Sequence, residues 1–216
     1  MTLADWTPLD WTPPGALDGE HARLERLGPQ HIDALHATNP QEAEHWRWMP
    51  YGPFPDRAVY ALWAEGAAAS DDPAFYAIHG PGGWTGVASF MRVDRANGVI
   101  EIGGIALSPP LQRTPAATEA IHLMIDYAFA AGFRRVEWKC NARNAPSMLA
   151  AARYGFTFEG TFRQHMVVKG ENRDTAWFAI IDADWPRLRD AHRAWLAPGN
   201  FRADGRQKRR LADLTG

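Results

Sequence analysis

A turn followed by a helix, between residues 107 and 129, is the part of the chain best suited to bind an anion. The turn reads Leu107-Ser-Pro-Pro-Leu-Gln-Arg-Thr-Pro-Ala-Ala117 and leads into a helix predicted over 118–129. Because the first N–H groups of a helix have no intrahelical acceptor and the helix dipole adds positive potential, such a turn attracts negative charge. The residues expected to contact the anion are Gln112, Arg113, Thr114, Ala116, Ala117 and Thr118.

A single carboxylate, Glu101, stands in an otherwise apolar strand predicted over 99–107. A charge in an apolar setting is costly unless it is paired, and a carboxyl group there readily takes up a proton. Glu101 is therefore a candidate general base for an ammonium group, directly or through water. The alternative is a structural ion pair with an arginine of a neighbouring strand, and the sequence favours neither.

Hydrophobic periodicity and turn signals predict the elements that position these groups. The predicted strands are 22–27, 74–78, 84–93, 99–107, 134–142, 157–168 and 173–182. The predicted helices are 28–37, 56–69, 118–129, 144–155 and 185–196. Residues 1–20 are expected to form an extended arm, residues 21–198 one domain, and residues 199–216 a polar tail that is either mobile or docked.

The residues from Ile100 to Asp174 resemble the GNAT family of acyl-CoA-dependent N-acyltransferases. The segment Gln112-Arg-Thr-Pro-Ala-Ala117 matches the register of the family's pyrophosphate-binding turn, although Pro115 replaces the central glycine and removes one N–H donor. The second half is similar to the RimJ/RimL-like branch, whose members acetylate protein N-termini or small amines. It comprises Arg135-Val-Glu-Trp-Lys-Cys-Asn-Ala-Arg-Asn144, Ser147, Tyr154-Gly-Phe156, Glu159-Gly160 and Arg163.

The resemblance, which extends from about Ala22 to Pro186, implies an α/β (α+β) fold. In the GNAT fold a mixed, mostly antiparallel sheet is flanked by helices. Its fourth and fifth strands, here 99–107 and 134–142, are parallel and splay apart. The pantetheine arm of the acyl donor lies in the gap between them.

The resemblance also implies roles for residues around that gap. Backbone N–H groups of Ile105, Ala106 and Leu107 would face the thioester carbonyl, the alternative being ordinary ladder pairing. Ser147 would protonate the leaving thiolate, the alternative being a plain helix-start residue. Asn144 would both cap its helix and contact the pantetheine amides. The tyrosine that many members carry on this helix is replaced by Ala151.

The acceptor is expected beneath the early helices, beside a loop that holds four aromatic residues. These are Trp46, Trp48, Tyr51 and Phe54, for which core packing is the competing interpretation. His165 and Arg163 lie two residues apart on one predicted strand and are candidates for the border of the acceptor site. A surface or ion-pairing role for these two residues is at least as well supported.

Composition excludes several other functions. The net charge of −2 gives no general attraction to nucleic acid or to an anionic membrane, and no apolar run is long enough to span a bilayer. The eight histidines show no metal-ligand spacing. A single cysteine, Cys140, forbids an internal disulfide and favours a cytoplasmic location.

Two further groups have weaker claims to function. Cys140 invites an acyl-enzyme mechanism, but no histidine lies near it in the sequence, and a strand cysteine is usually a small core residue. The basic run from Arg206 to Arg210 is expected to be a solvated tail, with contact to an acidic partner or to donor phosphates as the alternative.

The resemblance implies an enzyme that moves an acetyl group from acetyl-CoA to a primary amine, on a protein N-terminus or a small molecule, by direct attack. Succinyl-CoA remains open as the donor, with Arg163 or Arg113 as the cation for its extra carboxylate. A catalytically inactive CoA-binding or regulatory module is a second alternative. Exposed tryptophans leave a homodimer open.

Overall fold

The computed structural model describes residues 3–216, which contain one sheet of eight strands. The strands are β1 (Ala16–Asp18), β2 (Arg23–Arg26), β3 (Ala74–Gly80), β4 (Gly83–Asp94), β5 (Val99–Leu107), β6 (Arg135–Asn141), β7 (Thr157–Val168) and β8 (Glu171–Ile181). Their spatial order is β1-β2-β3-β4-β5-β6-β8-β7. Neighbouring strands are antiparallel except β5 and β6, which are parallel. The predicted fold class is confirmed.

Helices cover both faces of this sheet. They are α1 (Ile32–Thr38), α2 (Arg57–Ala68), α3 (Pro115–Ala130), α4 (Ala145–Arg153), α5 (Trp185–Leu196) and the short α6 (Ala212–Thr215). Helices α1 and α2 pack on one face, and α3, α4 and α5 lie on the other. Within residues 3–216, no helix combines the length and the apolar character needed to cross a membrane.

The central strand β3 shows why both faces need cover. Tyr76 and Ile78 point into the core under α3, whereas Phe75 and Ala77 point into the core under α1 and α2. Successive side chains of a strand alternate between faces, so a strand buried on both sides reads as a continuous apolar run. The segment Ala74-Phe-Tyr-Ala-Ile78 has this character.

The parallel strands β5 and β6 stay paired over only three residues. The pairs are Val99 with Arg135, Ile100 with Val136 and Glu101 with Glu137. The remaining six residues of β5 have no partner on β6, so a gap opens between the strands after Glu101. The predicted splay of these two strands is confirmed.

A β-bulge in β5 lies beside this gap. Val87 pairs with Ala106 and Ser89 with Gly103, so β5 carries one more residue than β4 over this interval. Gly104 lies in the bulge with a φ of +60°, and a Cβ there would meet the Phe75 ring at 2.7 Å. Glycine is therefore required at this point of the strand.

The N-terminal residues contribute an edge strand that the sequence did not reveal. β1 lies within the expected arm 1–20 and pairs with β2, but three residues are too few to show an alternating pattern. The buried Glu119 carboxylate of α3 accepts the N–H groups of Glu20 and Ala22 at 3.0 and 2.7 Å. Trp11 is buried in the core, so it anchors this segment, most of whose other residues are exposed or half-buried.

The C-terminal residues 199–216, expected to be mobile or docked, are docked. Leu211 is fully buried, and the Arg187 guanidinium donates to the Thr215 carbonyl oxygen at 2.8 Å. The side chain of the buried Asn200 accepts the Arg209 N–H at 3.0 Å. Although the tail is polar in composition, a few of its residues are buried and hold it against α5.

Candidate active site

A large cavity, of about 1670 Å³, occupies the gap between β5 and β6. One end, called the turn end here, is bounded by residues 112–118, by α4 and by residues 201–207. The other, the loop end, is bounded by residues 44–51 and α2. Small-molecule pockets usually measure roughly 300–1,000 Å³, so this cavity has room for two reactants.

Helix α3 begins at Pro115, three residues earlier than predicted, because Thr114 caps it. The Thr114 hydroxyl accepts the Ala117 N–H at 3.1 Å and donates to the Leu111 carbonyl oxygen at 2.7 Å. Proline suits the first helical position, where no N–H is needed and its fixed φ fits. Gln112, Arg113, Thr114, Ala117 and Thr118 line the cavity, whereas the Ala116 side chain packs in the core.

Some backbone N–H groups of the turn remain free to donate hydrogen bonds. Thr114, Ala117 and Thr118 use their N–H groups within the turn and the first helical residues. The N–H groups of Arg113 and Ala116 donate no hydrogen bond within residues 3–216. Two backbone donors and the positive end of α3 therefore remain at the turn end of the cavity.

The end of β5 presents backbone to the gap. Ser108 donates its N–H to the Thr85 carbonyl oxygen of β4, at 2.9 Å. Successive N–H groups of a strand point to opposite sides, so the Leu107 N–H faces the gap and the Ala106 N–H faces β4. The Ala106 N–H therefore belongs to the ordinary hydrogen-bond ladder with β4. Ile105 is the residue directly after Gly104 in the bulge. The role of this backbone toward a carbonyl group stays a prediction.

Two side chains fix the backbone at this point. The Gln112 amide donates to the Leu107 carbonyl oxygen at 2.7 Å, and the Tyr51 hydroxyl donates to the Gly104 carbonyl oxygen at 3.0 Å. Burial raises the pKa of Tyr51, so its hydroxyl stays protonated and remains a donor. The bulge is therefore held from both ends of the cavity.

Glu101 is buried, lines the cavity and is paired with two cations. The Arg92 guanidinium of β4 donates to both carboxylate oxygens at 2.9 and 2.8 Å, and the Lys139 ammonium of β6 lies 2.9 Å away. The ion pair with an arginine of a neighbouring strand is therefore present, together with a lysine. An incoming amine would meet Glu101 as part of a three-charge cluster, and its role as a base stays a prediction.

The charges continue across the floor of the gap. Lys139 also pairs with Glu137, and Arg135 donates to Glu137 at 2.8 Å. Burial alone would raise the pKa of Glu137, but hydrogen bonds from Lys139 and Arg135 outweigh it and hold the pKa below its usual value. Arg173 lines the cavity nearby, and burial followed by repulsion from Arg92 lowers its pKa.

Ser147 lies in the first turn of α4 and lines the cavity. Its hydroxyl oxygen accepts the Trp138 indole N–H at 2.9 Å. Because an indole is only a donor, this bond leaves the hydroxyl proton available for another group. The arrangement is compatible with proton donation into the gap, which stays a prediction.

Asn144 caps α4 and also lines the cavity. Its Oδ1 accepts the Ser147 N–H at 3.2 Å. The Nδ2 group of Asn144 donates to nothing in the part of the chain described here, so the amide has one side committed to the cap and one side left for a ligand. Asn144 caps α4 as expected, and its contact with the pantetheine amides stays a prediction.

The aromatic loop divides between cavity and core. Trp48 and Tyr51 line the loop end, where Trp63 of α2 joins them. Phe54 is buried among Trp46, Tyr60 and Trp63 and does not line the cavity. Core packing therefore describes Phe54.

One lysine holds this loop in place. The Lys169 ammonium, from the turn between β7 and β8, donates to the carbonyl oxygens of Trp46 and Gly52 at 2.9 Å. The carbonyl oxygen of Tyr51 lies 3.3 Å from the same nitrogen. Three backbone carbonyls around one ammonium use its full donor capacity.

His165 and Arg163 lie outside the cavity on the exposed edge strand β7. His165 Nδ1 lies 2.9 Å from the Thr175 hydroxyl, and its ring contacts Phe162 and Trp177. β7 loses its regular register between Phe162 and Met166, which simple alternation along the strand did not anticipate. A surface role therefore describes both residues.

Cys140 is buried beside the gap, and burial raises the pKa of its thiol. A thiol with a raised pKa is a poor nucleophile, which argues against an acyl-enzyme intermediate at Cys140. Between residues 3 and 216, no cluster of three or more His, Cys, Asp or Glu side chains is arranged to hold a metal ion.

Several lining residues were not identified from the sequence. Arg92, Lys139 and Arg173 surround Glu101, and Arg153 and Trp195 line the turn end. Lys139 is needed because Glu101 and Glu137 lie side by side on β5 and β6, and two adjacent buried carboxylates need a cation. The sequence holds no signal for this, because it does not give the register of the two parallel strands.

The comparisons with known proteins agree with this geometry. Residues 21–157 match the family described as acetyltransferase (GNAT) domain. The uncharacterized N-acetyltransferase p20 of Bacillus licheniformis is 30% identical over 101 residues, which are 46% of this chain and 56% of that protein. The chain thus spans little more than half of that curated relative.

Two solved structures match over most of their length. A GCN5-related N-acetyltransferase from Brucella melitensis is 46% identical over 99% of both chains, with a TM-score of 0.95. A probable acetyltransferase of the GNAT family from Chromobacterium violaceum ATCC 12472 is 41% identical over 86% of this chain and 96% of that chain, with a TM-score of 0.80. With the splayed strands, the bulge and the capped turn, these matches show that the chain belongs to the GNAT family of acetyltransferases.

Proposed function

We propose that this protein transfers an acetyl group from acetyl-CoA to a primary amine, as RimJ/RimL-like members of the family do. The observation that carries the proposal is the order of groups along one cavity. The capped turn at Thr114, the bulge at Gly104 and the hydroxyl of Ser147 all line the β5–β6 gap. An extended thioester fits this order, with pyrophosphate at the turn and its carbonyl at the bulge.

The chemistry is a direct attack of the amine on the thioester carbonyl, without a covalent enzyme intermediate. The amine nitrogen forms a bond to the carbonyl carbon, and the C–S bond breaks. The Leu107 N–H stabilises the oxyanion, Glu101 takes up the amine proton through water, and Ser147 gives its proton to the departing thiolate. The proton on Glu101 then returns through water to Ser147, so both groups end the cycle as they began it. The Trp138 indole orients the Ser147 hydroxyl for this step.

The acceptor lies at the loop end, beside Trp48, Tyr51 and Trp63. These rings form an apolar wall, while Glu101 and its cations form the polar floor. A primary amine carried by an apolar or flat group fits such a site, on a protein N-terminus or on a small molecule. The ammonium group of the acceptor would approach the Glu101 cluster.

One observation keeps succinyl-CoA as a second donor. Arg113, Arg92 and Arg173 line the cavity, so a cation is available for the extra carboxylate of a succinyl group. Arg163, the other cation considered for this purpose, lies outside the cavity. The remaining alternative is a GNAT fold that has no turnover. The joint presence of Glu101, Asn144 and Ser147 in the cavity argues against it.

The test is a turnover assay. The purified protein is incubated with acetyl-CoA or succinyl-CoA and a panel of aryl amines, amino acids, polyamines and short peptides with free N-termini. Free thiol and the mass of the acylated product are measured. Amine-dependent release of thiol from acetyl-CoA is expected. Preference for succinyl-CoA would reassign the donor, and no product with any amine would favour a binding module.

Two accessory features belong to the same proposal. The single buried cysteine is the ground for a cytoplasmic location. The edge strand β7 exposes Phe158, Phe162 and Val167, which offers an apolar surface for a homodimer. Light scattering on the purified protein measures the oligomeric state directly. Neither nucleic acid nor a membrane is an expected partner.

A further inference from the structure

Arg173 of β8 lies where the large cavity adjoins a second one, of about 390 Å³. The residues that line both cavities are Glu44, Trp48, Asn141, Val168 and Arg173. Of the two charged residues in this set, Glu44 pairs with Arg47 at 3.4 Å, and Arg173 is the cation. A ligand bound at the loop end can therefore extend past Trp48 into the second cavity, and it meets Arg173 on the way.

Strand pairing places Arg173 on the same face of the sheet as Glu101. Glu101 pairs with Glu137 across β5 and β6, and Asn141 of β6 pairs with Thr175 of β8. Paired residues of neighbouring strands share a face, and so does every second residue along one strand. Arg173 is two residues from Thr175, so its side chain belongs to the face that carries the Glu101 cluster.

The two cations next to Glu101 have carboxylate partners, whereas Arg173 has none. Arg92 and Lys139 both pair with Glu101, and Lys139 also pairs with Glu137. Across residues 3–216, no carboxylate lies within ion-pair distance of the Arg173 guanidinium. The cluster therefore holds one positive charge that no neighbouring carboxylate balances.

The hydrogen-bonding capacity of Arg173 is also unused. Its Nε is buried, and in the part of the chain that the structure describes it meets no acceptor. Burial and then repulsion from Arg92 lower the pKa of the guanidinium, so its surroundings oppose its charge. A guanidinium presents a planar fork of N–H groups that matches a carboxylate, and a bound carboxylate would oppose this charge.

The position of Arg173 assigns such a carboxylate to the acceptor. The second cavity is lined by none of the residues 112–118 of the turn that faces the donor in the proposed function. It is lined instead by Trp48, which belongs to the apolar wall of the acceptor site. An anion at Arg173 is therefore on the acceptor side of the Glu101 cluster.

We infer that the acceptor amine carries a carboxylate, which Arg173 binds while the amine nitrogen lies at the Glu101 cluster. The inference rests on the proposed function and narrows its substrate class. Two kinds of molecule supply this chemistry: a free amino acid, through its α-carboxylate, and a peptide with an acidic side chain at its N-terminus. The apolar wall at Trp48 favours an aromatic or other apolar group in the same molecule.

The experiment measures acetyl transfer from acetyl-CoA to matched pairs of amines. Phenylalanine and phenethylamine differ only in the carboxylate, and aspartyl-phenylalanine amide and asparaginyl-phenylalanine amide differ only in the side-chain charge. The proteins are the wild type, Arg173→Met, Arg173→Lys and Arg163→Met. Arg163 lies on β7 outside both cavities, so Arg163→Met is the matched control for loss of one positive charge. A thermal melt verifies that each variant folds.

Wild type and Arg163→Met are expected to prefer the carboxylate-bearing member of one pair by at least about 10-fold in kcat/KM, as charge-assisted hydrogen bonds require. The pair that shows the preference identifies the source of the carboxylate. In Arg173→Met the preference should fall to within about 2-fold through a higher KM, and Arg173→Lys should keep part of it.

Wild-type turnover without any preference for a carboxylate, or a preference that survives in Arg173→Met, would overturn the inference alone. Arg173→Met is also assayed with succinyl-CoA. Loss of turnover with succinyl-CoA, with the amine preference unchanged, would assign Arg173 to the donor and overturn the inference as well. Absence of turnover with every amine, in a folded wild type, would overturn the proposed function.

Discussion

Ser147 and Glu101 are the two side chains on which the proposed chemistry depends, and their surroundings differ. The Ser147 hydroxyl accepts one hydrogen bond, from Trp138, and keeps its proton to donate. Glu101 has both oxygens engaged by Arg92 and Lys139. Ser147 thus has only uncharged partners, the Trp138 indole and the Cys140 thiol, whereas Glu101 acts within a charged cluster.

Removing the Ser147 hydroxyl should slow turnover without weakening donor binding. Ser147→Ala is expected to lower kcat by about 10²-fold, within the range for a lost general acid, with a CoA Kd within about 2-fold of wild type. Trp138→Phe, which removes the orienting N–H together with part of the buried ring, should cause a smaller loss in kcat. Steady-state kinetics and calorimetry provide the two values. Unchanged kcat in Ser147→Ala would show that the thiolate is protonated by another group.

The variant Glu101→Gln distinguishes between two roles of this carboxylate, a base in the reaction and a member of a structural ion pair. Loss of the charge leaves Lys139 buried and unopposed on that side, so the free energy of unfolding should fall by about 3 kcal/mol. A base role predicts in addition that the remaining activity of Glu101→Gln rises with pH, as more amine loses its proton unaided. A pH profile parallel to that of wild type, with only the stability reduced, would assign Glu101 to structure.

The sequence reveals a functional residue when its type is unusual for the helix or strand that carries it. It does not reveal a residue whose role depends on which strands lie beside it. Glu101 was visible as a lone charge in an apolar strand, and Asn144 as a helix cap. Lys139 and Arg92 were not, because their meaning depends on which strands lie beside β5. Phe54 and His165 do not line the cavity, and periodicity does not show which side chains of an aromatic loop or a bulged strand turn inward.

At the scale of elements, the turn between β7 and β8 supports the aromatic loop across the gap. Lys169 binds three carbonyl oxygens of residues 46–52. The loop itself is rich in proline and glycine and has few regular hydrogen bonds to hold it. Its position at the loop end therefore depends strongly on this one side chain.

Lys169→Met should disturb the acceptor more than the donor. We expect KM for the amine to rise by about 10- to 150-fold, since a charge-assisted hydrogen bond contributes roughly 1.5–3 kcal/mol, while CoA affinity stays unchanged. Lys169→Arg should restore part of the loss, and Glu171→Gln, at the start of β8, serves as a control for charge. An amine KM equal to that of wild type in Lys169→Met would remove the loop from the acceptor site.

Most elements of the fold could be predicted from periodicity and turn signals, since long strands and the amphipathic helices carry clear patterns. The three-residue β1 was too short to show one. The splay of β5 and β6 came only from the family resemblance, because pairing register has no local signature. The bulge at Gly104 left one trace, the adjacent glycines 103 and 104, which alone do not specify it.

At the scale of the whole molecule, α4 and α5 meet at a buried histidine. His192 lies 3.0 Å from the Tyr154 carbonyl oxygen through Nε2, and the His122 ring centre lies 5.4 Å away. Burial is the main cause that lowers the pKa of His192 to about 4, against which the bond to Tyr154 acts only in part. Arg153 lowers it further, and Asp126 raises it.

This histidine predicts acid sensitivity. In the unfolded chain the imidazole takes up a proton near pH 6.5, and in the folded protein only near pH 4, so its contribution to stability is complete above pH 6.5 and is lost as the pH falls toward 4. The free energy of unfolding should fall by about 2 kcal/mol between pH 7 and pH 5 from His192 alone. Urea titrations of wild type and His192→Gln measure it. Equal pH slopes in the two proteins would contradict the assignment.

The central claim is that the β5–β6 gap and its proline-containing turn hold an acyl-CoA. Calorimetric titration of the purified wild-type protein with acetyl-CoA tests this most directly, with Ala117→Asp, which places a negative charge on the turn, as the matched variant. Micromolar binding at one site per chain, lost in Ala117→Asp, is the predicted result. No heat of binding with the folded wild type, or equal affinity in Ala117→Asp, would contradict the account.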